Sequence, residues 1–281
     1  MTRRRIRAAV AALAVSLLAA ACTSPGPSGE ASSGCTGASD PAQATLGVAY
    51  GPNALHRANI YPACTTTAIG TIMYVHGGGY TSGSRSEGNW PAIRRFRDLG
   101  WVVVSIDYRL APVYGYPAQV NDTRLAIDWW RDGAAASFGA PAAPLVGAGW
   151  SAGSQIADYV AVEDTGSKFD AVFSASGATD WVTRPPSTAA TALFGLNPTT
   201  SLLAQASTTT HLDPSDPPLL HVHGQGDWIV PDSQEADLAA AIIAKGDPAK
   251  HATYLHPTCG HSHDCFDPTV VDPFLASIAT L

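Results

Sequence analysis

Apolar and polar positions alternate along most of this chain in a way that predicts strands separated by helices. The runs at residues 71–75 and 101–106 are largely apolar, which is typical of strands buried on both faces of a parallel sheet. A helix is predicted over 89–99, between a proline in its first turn and a glycine that can end it, and another over 117–131. This order predicts an α/β fold with a mostly parallel central sheet and helices on both faces.

The pattern predicts further elements on both sides of this region. Residues 45–61 are predicted to form an antiparallel hairpin ahead of the sheet. Between 181 and 218 the pattern fails, because this segment is rich in Thr, Pro, Ser and Ala, and we expect an insertion with one or two short helices. Further strands are predicted at 145–148, 171–175, 219–223 and 252–256, and further helices at 155–163, 233–245 and from about 269.

Residues 1–21 are predicted to be a signal peptide. Four arginines precede an apolar run at 8–21 that is too short to span a bilayer comfortably. The run ends in Leu-Ala-Ala-Ala-Cys at 18–22, which is similar to a bacterial lipobox with the leucine one place further from the cysteine than usual. We therefore expect Cys22 to be lipidated, with ordinary cleavage after a small residue as the alternative. Three consecutive arginines do not distinguish Sec from twin-arginine export.

The segment after this cysteine differs in composition from the rest of the chain. Residues 22–40 are rich in Ser, Gly, Pro and Thr and contain almost no large apolar side chain, so they cannot bury enough surface to fold. We expect a flexible tether that holds a folded domain, residues 41–281, clear of the membrane. The expected product is exported, either as a cell-envelope lipoprotein anchored through Cys22 or as a secreted protein.

Size and charge limit the classes of partner. With 281 residues, 46% of them hydrophobic, the chain can bury a sizeable core. Its formal net charge is −7, and no basic run occurs beyond the first seven residues, which argues against nucleic acid or an anionic membrane surface as partner. The pattern leaves the oligomeric state undetermined.

Cysteine usage fits an exported protein. Apart from Cys22, the even set Cys35, Cys64, Cys259 and Cys265 allows three disulfide pairings. Closeness in sequence favours Cys259 with Cys265, which leaves Cys35 with Cys64. The alternative is a zinc site made of the two late cysteines and the two histidines between them, but this would take all four ligands from one short loop, and we expect no metal there.

Residues 149–153 read Gly-Trp-Ser-Ala-Gly, between a predicted strand and a predicted helix. A serine at a sharp turn between strand and helix must adopt a strained backbone conformation, and small neighbours let the two elements approach closely. This context predicts a nucleophile elbow with Ser151 exposed above the sheet edge. The motif alone is a weak signal, and a glycine-rich turn with an ordinary serine is the alternative.

An acid and a base for this serine follow later in the chain. Asp227 and His261 each lie just past a predicted strand, as Ser151 does, and the carboxyl ends of parallel strands meet at one edge of a sheet. His263 competes with His261 as the base. Asp232 competes with Asp227 as the acid, although its place at a predicted helix start is better explained as an N-cap.

Three further motifs occur in the same order as in a known family. His-Gly-Gly-Gly-Tyr at 76–80 resembles the HGGG oxyanion motif of the hormone-sensitive-lipase-like carboxylesterases and lipases of the α/β-hydrolase superfamily. Asp-Tyr-Arg-Leu-Ala-Pro at 107–112 is similar to another segment of that family, and Gly-Gln-Gly-Asp at 224–227 to its acid loop. The resemblance extends from about residue 72 to the C-terminus, here in a bacterial exported lipoprotein form.

The resemblance implies an α/β-hydrolase fold and a set of site residues. Ser151 is the expected nucleophile, Asp227 the acid, and His261, which follows a glycine as in the family, the base. The backbone N–H groups of Gly78, Gly79 and Ala152 are expected to form the oxyanion hole. His76 is expected to support the glycine loop by hydrogen bonding. No metal or organic cofactor is implied.

The implied reaction is hydrolysis of a small-molecule carboxylic ester through an acyl-enzyme. The family commonly carries an N-terminal helical cap, but the tether has no apolar period, so we expect no N-terminal cap domain. The insertion at 181–218 would then be the only cover, and short acyl chains would be preferred. A peptidase or amidase of the same fold is the first alternative, although such enzymes generally carry a gating domain. A non-catalytic binding module is the second, and the intact set of motifs argues against it.

Overall fold

The structure, a computed structural model, describes residues 44–86 and 90–280. An eight-stranded sheet of order β1-β2-β4-β3-β5-β6-β7-β8 runs through this part of the chain. Its strands are β1 Thr45–Ala49, β2 Arg57–Tyr61, β3 Gly70–Val75, β4 Trp101–Ile106, β5 Leu145–Trp150, β6 Ala171–Ala175, β7 Leu219–Gly224 and β8 His251–His256. The pairs β1–β2 and β2–β4 are antiparallel, and all other pairs are parallel. The predicted α/β class, the mostly parallel sheet and the N-terminal hairpin are confirmed.

Helices fill the connections between the strands. They are α1 Trp90–Asp98, α2 Ala118–Trp129, α3 Ala135–Ser137, α4 Ala152–Val162, α5 Thr188–Phe194, α6 Thr200–Gln205, α7 Thr208–His211, α8 Ser233–Lys245 and α9 Pro268–Ile278. The insertion therefore contains three short helices, α5 to α7, and the expectation of one or two was wrong. Across the described ranges, none of the helices is long and apolar enough to cross a bilayer.

The core lies on both faces of the sheet, as strand β3 illustrates. Met73 on one face belongs to a buried cluster with Ile156 of α4, whereas its neighbour Ile72 belongs to a second cluster with Phe96 of α1 and Leu275 of α9. Burying one such side chain contributes about 1.5–3 kcal/mol. Helices therefore cover both faces of the sheet, which confirms the predicted arrangement of layers. The loops that connect strands and helices lie at the edges of the sheet.

Parallel register aligns the carboxyl ends of the central strands. Val75 at the end of β3 pairs with Gly149 near the end of β5, and Gly224 at the end of β7 pairs with His256 at the end of β8. The loops that follow these strands therefore start side by side at one edge of the sheet.

Several predictions concern residues outside the described ranges. The signal peptide at 1–21, the lipidated Cys22, the tether at 22–40 and the role of Cys35 all belong to residues 1–43, outside the described part. They stay predictions, as does the domain boundary at residue 41.

Candidate active site

Ser151 lies between the end of β5 and the start of α4, in the strained conformation that an elbow requires. Its φ and ψ are 56° and −119°, a left-handed φ that is costly for a residue with a side chain. Glycines make the turn fit: a Cβ atom at Gly149 would lie 2.7 Å from the Ser154 nitrogen, and one at Gly153 2.6 Å from the His76 carbonyl oxygen. Helix α4 starts directly after Ser151, so the predicted start at residue 155 was too late.

The structure brings Ser151, His261 and Asp227 together. The Ser151 Oγ lies 3.0 Å from His261 Nε2, and His261 Nδ1 lies 2.6 Å from Asp227 Oδ2. A carboxylate only accepts hydrogen bonds, so the proton between these two groups belongs to Nδ1. In the neutral imidazole Nε2 is then the unprotonated nitrogen, which can accept the hydroxyl proton of Ser151.

Both carboxylate oxygens of Asp227 lie close to hydrogen-bond donors. Its Oδ1 accepts the backbone N–H groups of Ile229 and Val230, each at 2.9 Å, and its Oδ2 lies 3.5 Å from His223 Nε2 as well as close to His261. Burial alone would raise the pKa of Asp227, but hydrogen bonds from His223, His261 and the Val230 N–H hold that pKa well below its usual range. The group is therefore a carboxylate, able to orient His261 and to stabilise its protonated form.

The two rival residues lie in other environments. His263 packs its ring on Trp150, with centroids 4.0 Å apart, and its Nε2 lies 3.4 Å from the Tyr74 hydroxyl. Burial lowers the pKa of His263. Asp232 stands at the N-terminus of α8, but its side chain accepts the N–H of Gly226 at 3.0 Å and makes no capping hydrogen bond. Asp232 is therefore the N-cap residue of α8 by position, as predicted, but its side chain does not cap the helix.

The DYRLAP segment, residues 107–112, packs against the glycine loop at 76–80 and forms hydrogen bonds with it. The Tyr108 hydroxyl donates to the His76 carbonyl oxygen at 2.9 Å, and the two rings stack with centroids 4.2 Å apart. His76 Nδ1 lies 2.7 Å from the Gly77 carbonyl oxygen, so this side chain hydrogen-bonds to the loop as expected. Asp107 is buried and accepts the N–H of Arg85 at 2.6 Å.

A cavity of about 240 Å³ opens beside Ser151. The three predicted oxyanion donors, Gly78, Gly79 and Ala152, lie on its wall together with His261. Gly78 and Gly79 have φ values of 102° and 59°. Glycine adopts such values at little cost, so its backbone can turn towards the cavity where other residues would be strained.

The insertion lies beside the cavity as expected, and it contributes two wall residues that the sequence analysis did not single out. Trp181 and Arg184 line the cavity, and the Arg184 guanidinium lies over the Trp181 ring at 5.1 Å. Arg184 also donates to Ser187 Oγ at 2.6 Å and to the Ile229 carbonyl oxygen at 3.2 Å, which ties the insertion to the acid loop. In the sequence, these two residues differ from their neighbours only as a large aromatic and a cationic side chain in a segment of mostly small residues, and this alone does not indicate a cavity wall.

The two cysteines of the loop that carries His261 lie at disulfide-bonding distance. The Sγ atoms of Cys259 and Cys265 lie 1.94 Å apart and the Cα atoms 5.3 Å apart, as in a disulfide. Within the described residues the alternative zinc ligands are thus not assembled, because bonded sulfurs are not free thiolates and His261 faces Ser151. The bridge stays a prediction until it is found chemically, and the pairing of Cys35 with Cys64 involves a residue outside the described ranges.

Comparison with known proteins identifies the family. The model of the BD-FAE family matches residues 59–242, which is more than half of the chain. The chain belongs to the BD-FAE family. The predicted resemblance to hormone-sensitive-lipase-like α/β-hydrolases is thereby confirmed, and the exported lipoprotein form stays a prediction.

Relatives of this BD-FAE-family chain include esterases. Esterase LipC of Mycobacterium tuberculosis is 27% identical over 232 residues, which cover 74% of this chain and 56% of LipC. The chain spans about half the length of the curated relatives it matches.

Solved structures show the same fold. A truncated form of a carbohydrate esterase from gut microbiota has a TM-score of 0.77 at 22% identity, and the match covers 85% of this chain and 97% of that one. Esterase B from Lactobacillus rhamnosis, inhibited by a tributyrin phosphonate, has a TM-score of 0.70 at 20% identity, with 85% and 84% covered. These likenesses confirm the predicted α/β-hydrolase fold.

Proposed function

We propose that this BD-FAE-family chain is a serine hydrolase that cleaves carboxylic esters through an acyl-enzyme. The observation that carries the proposal is the line of hydrogen-bond distances from Ser151 Oγ through His261 to Asp227, beside a cavity walled by the glycine loop. Relatives and structural neighbours that are named esterases support it.

In the first half of the reaction, Ser151 Oγ attacks the ester carbonyl carbon while its proton passes to His261 Nε2. The carbonyl oxygen becomes an oxyanion, which we propose is bound by the backbone N–H groups of Gly78, Gly79 and Ala152, all three of which line the cavity. One donor of this kind is typically worth about 2.7–4 kcal/mol of transition-state stabilisation. Asp227 stabilises the imidazolium that forms beside it.

The intermediate then collapses. The bond to the alcohol breaks, His261 returns its proton to the departing alcohol oxygen, and the acyl group remains on Ser151 Oγ. A water molecule, deprotonated by His261, attacks this acyl ester, and the proton goes back to Ser151 as the acid is released. Asp227 stays ionised throughout, so the residues end the cycle in their starting state.

Short acyl chains fit the cavity best. Its volume of about 240 Å³ is below the 300–1,000 Å³ that is usual for drug-sized ligands, and the buried Trp181 closes part of its wall. A longer chain would leave methylene groups in water, and each of these forgoes about 0.8 kcal/mol of burial. We propose that acetyl to butyryl esters are preferred over long-chain esters.

The catalytic assignments are tested by paired variants on a series of nitrophenyl esters. Ser151→Ala, His261→Ala and Asp227→Asn should each lower kcat by about 10⁴-fold or more. Their controls, His263→Ala and Asp232→Asn, should each retain kcat within about tenfold, because neither contacts Ser151 or His261 by a hydrogen bond. A larger loss in a control than in its partner would contradict the assignment.

Two further measurements separate the alternative functions. A fluorescent alkyl fluorophosphonate should label the wild type once, because Ser151 Oγ bonds to phosphorus as fluoride leaves, and it should not label Ser151→Ala. An enzyme that cleaves aminoacyl anilides faster than every ester would be a peptidase of the same fold. A folded wild type that neither turns over esters nor takes the label would be a binding module.

Export and anchoring through Cys22 are also proposals, and they rest on the sequence alone. The expected mature N-terminus is Cys22 with a lipid attached, and Cys22→Ala should release the protein into the medium. Mass spectrometry of the N-terminal peptide decides: an unmodified N-terminus at another small residue would rule out the anchor.

A further inference from the structure

A buried cluster of two histidines and a carboxylate lies behind the acid of the triad. His221 and His223 are alternate residues of β7, so their rings lie on the same face of the sheet, and Glu235 faces them from the first turn of α8. Both histidines have 0% of their surface exposed and Glu235 has 5%. None of the three takes part in a step of the proposed mechanism, although His223 Nε2 also lies 3.5 Å from Asp227 Oδ2.

The free ring nitrogens of the two histidines face each other. His223 Nε2 lies 2.9 Å from the Val230 carbonyl oxygen, which can only accept, so this nitrogen carries a proton. His221 Nδ1 lies 2.8 Å from Asp158 Oδ2 and carries a proton for the same reason. When both rings are neutral, His221 Nε2 and His223 Nδ1 present lone pairs to each other at a distance of only 3.4 Å. A positive charge must lie between them.

Glu235 needs the same positive charge. Neither of its carboxylate oxygens has a side-chain hydrogen bond within the described part of the chain, and the backbone N–H of Tyr254 offers only a neutral dipole. Its ion-pair distance to His221 Nε2 is 3.6 Å, and the described residues provide no lysine or arginine within 4.0 Å. A buried carboxylate is strongly destabilising unless it is paired or binds a metal. A single proton on His221 Nε2 can be donated well to His223 or to Glu235, but not to both.

We propose that His221 Nε2, His223 Nδ1 and a Glu235 oxygen bind one divalent transition-metal ion of the zinc type. Ligand atoms of a tetrahedral zinc site lie about 3.4 Å apart, since the Zn–N and Zn–O bonds are about 2.0–2.2 Å long. His221 Nε2 lies 3.4 Å from His223 Nδ1 and 3.6 Å from Glu235 Oε2, and all three ligand atoms lie within 4.8 Å of one another. Water would occupy the fourth position.

The surroundings are those of metal-bound histidines. Such histidines almost always donate their other N–H to a carboxylate or a backbone carbonyl, as His221 does to Asp158 and His223 to Val230. Asp158 is itself held by the Ser174 hydroxyl at 2.9 Å. The ion would link β7 to α8 without touching substrate, so its role is structural.

The test measures metal content and stability, not ester hydrolysis, so its outcome is independent of the proposed function. The full chain is purified through a tag without histidine, loaded with Zn²⁺, desalted and analysed for metal. Wild type should retain about one zinc ion per chain, and Zn²⁺ should raise its Tm. Glu235→Gln should bind at least about 100-fold more weakly, and Asp158→Asn about 10–100-fold more weakly.

Glu163→Gln is the matched control, because Glu163 is another largely buried glutamate but pairs with Arg124. It should retain about one zinc ion. Equal zinc content or an equal Tm rise in wild type and Glu235→Gln would overturn the proposal, as would a wild type that retains no zinc. Should Glu235→Gln fail to fold, Co²⁺ replaces Zn²⁺ in the wild type, where intense d–d bands of tetrahedral cobalt are expected and their absence would overturn the proposal.

Discussion

Gly224→Ala tests whether the position of the proposed base is set by backbone packing. Gly224 ends β7 beside Gly260, the residue before His261. A methyl carbon added at Gly224 would lie 2.5 Å from the Gly260 nitrogen and closer still to its carbonyl oxygen. Ordinary contacts begin at 3.4 Å, so the Gly260 segment must move by at least about 0.9 Å, and further to clear its carbonyl oxygen.

The expected loss follows from this displacement. His261 Nε2, now 3.0 Å from Ser151 Oγ, moves with its neighbour, and a misplacement of about 1 Å costs about 100-fold in rate. This is about 2.7 kcal/mol of transition-state stabilisation. Overpacking also destabilises the fold by about 1–3 kcal/mol. At about 2–4 °C per kcal/mol, the Tm should fall by about 2–12 °C.

The assay compares kcat/KM for nitrophenyl acetate with Tm in wild type, Gly224→Ala and Gly147→Ala. Gly147→Ala is the control, because its methyl carbon would lie 2.7 Å from an edge carbon of the Phe169 ring, inside the core and away from His261. Its Tm should fall by a similar amount, and its kcat/KM should stay within about threefold of the wild-type value. The reasoning is refuted if Gly224→Ala keeps full kcat/KM despite a lower Tm, or if the control loses as much activity.

Three further outcomes are expected. Replacing Cys259 and Cys265 by serine should lower the free energy of unfolding by about 2 kcal/mol, the chain-entropy estimate for so short a loop, and calorimetry should show the lower Tm. If the bridge positions the proposed base, kcat should fall by more than this loss of stability explains. An unchanged kcat would mean that the bridge only stabilises the fold. Burial alone would raise the pKa of Glu163, but hydrogen bonds from a neighbouring threonine and Arg124 hold that pKa below its usual value. The ionised carboxylate therefore stabilises the fold at pH values above its unfolded pKa. This stabilisation is lost as the pH falls through the lower pKa of the folded state. The Tm difference between wild type and Glu163→Gln should therefore be constant above about pH 5 and shrink below about pH 4 in a thermal-melting series, and a constant difference at all pH values would contradict it. Trp181→Ala should enlarge the cavity and shift the best nitrophenyl ester to a longer acyl chain, and an unchanged chain-length profile would show that Trp181 does not limit the acyl group.

The local pattern predicted the regular elements well where burial imposes a strong period. Strand β4 and helix α8 occupy the residues predicted for them, because a largely apolar run and a long amphipathic run leave few alternatives. Helix α4 starts earlier than predicted. Gly153 is a poor helix former, but its close approach to the end of β3 makes the helical conformation favourable there, and this contact is tertiary.

The short helices of the insertion were undercounted for a different reason. Ser187 and Thr199 cap α5 and α6 by accepting the N–H groups of Ala190 and Leu202, each at 3.2 Å. These caps are local signals. The helices they start are only seven and six residues long, which is too short for an apolar period to be recognised.

The sequence by itself determined the fold class and the chain order of the proposed nucleophile, acid and base, because strand periodicity and short motifs are local properties of the chain. Only the tertiary structure decided that His261 and not His263 contacts Ser151, although the two histidines are two residues apart in one loop. It also decided that His221 faces Asp158 across 63 positions of sequence. The physical reason is the same in both cases: a hydrogen bond depends on the direction and distance between two groups, and for residues far apart in the chain these are set by how strands and helices pack.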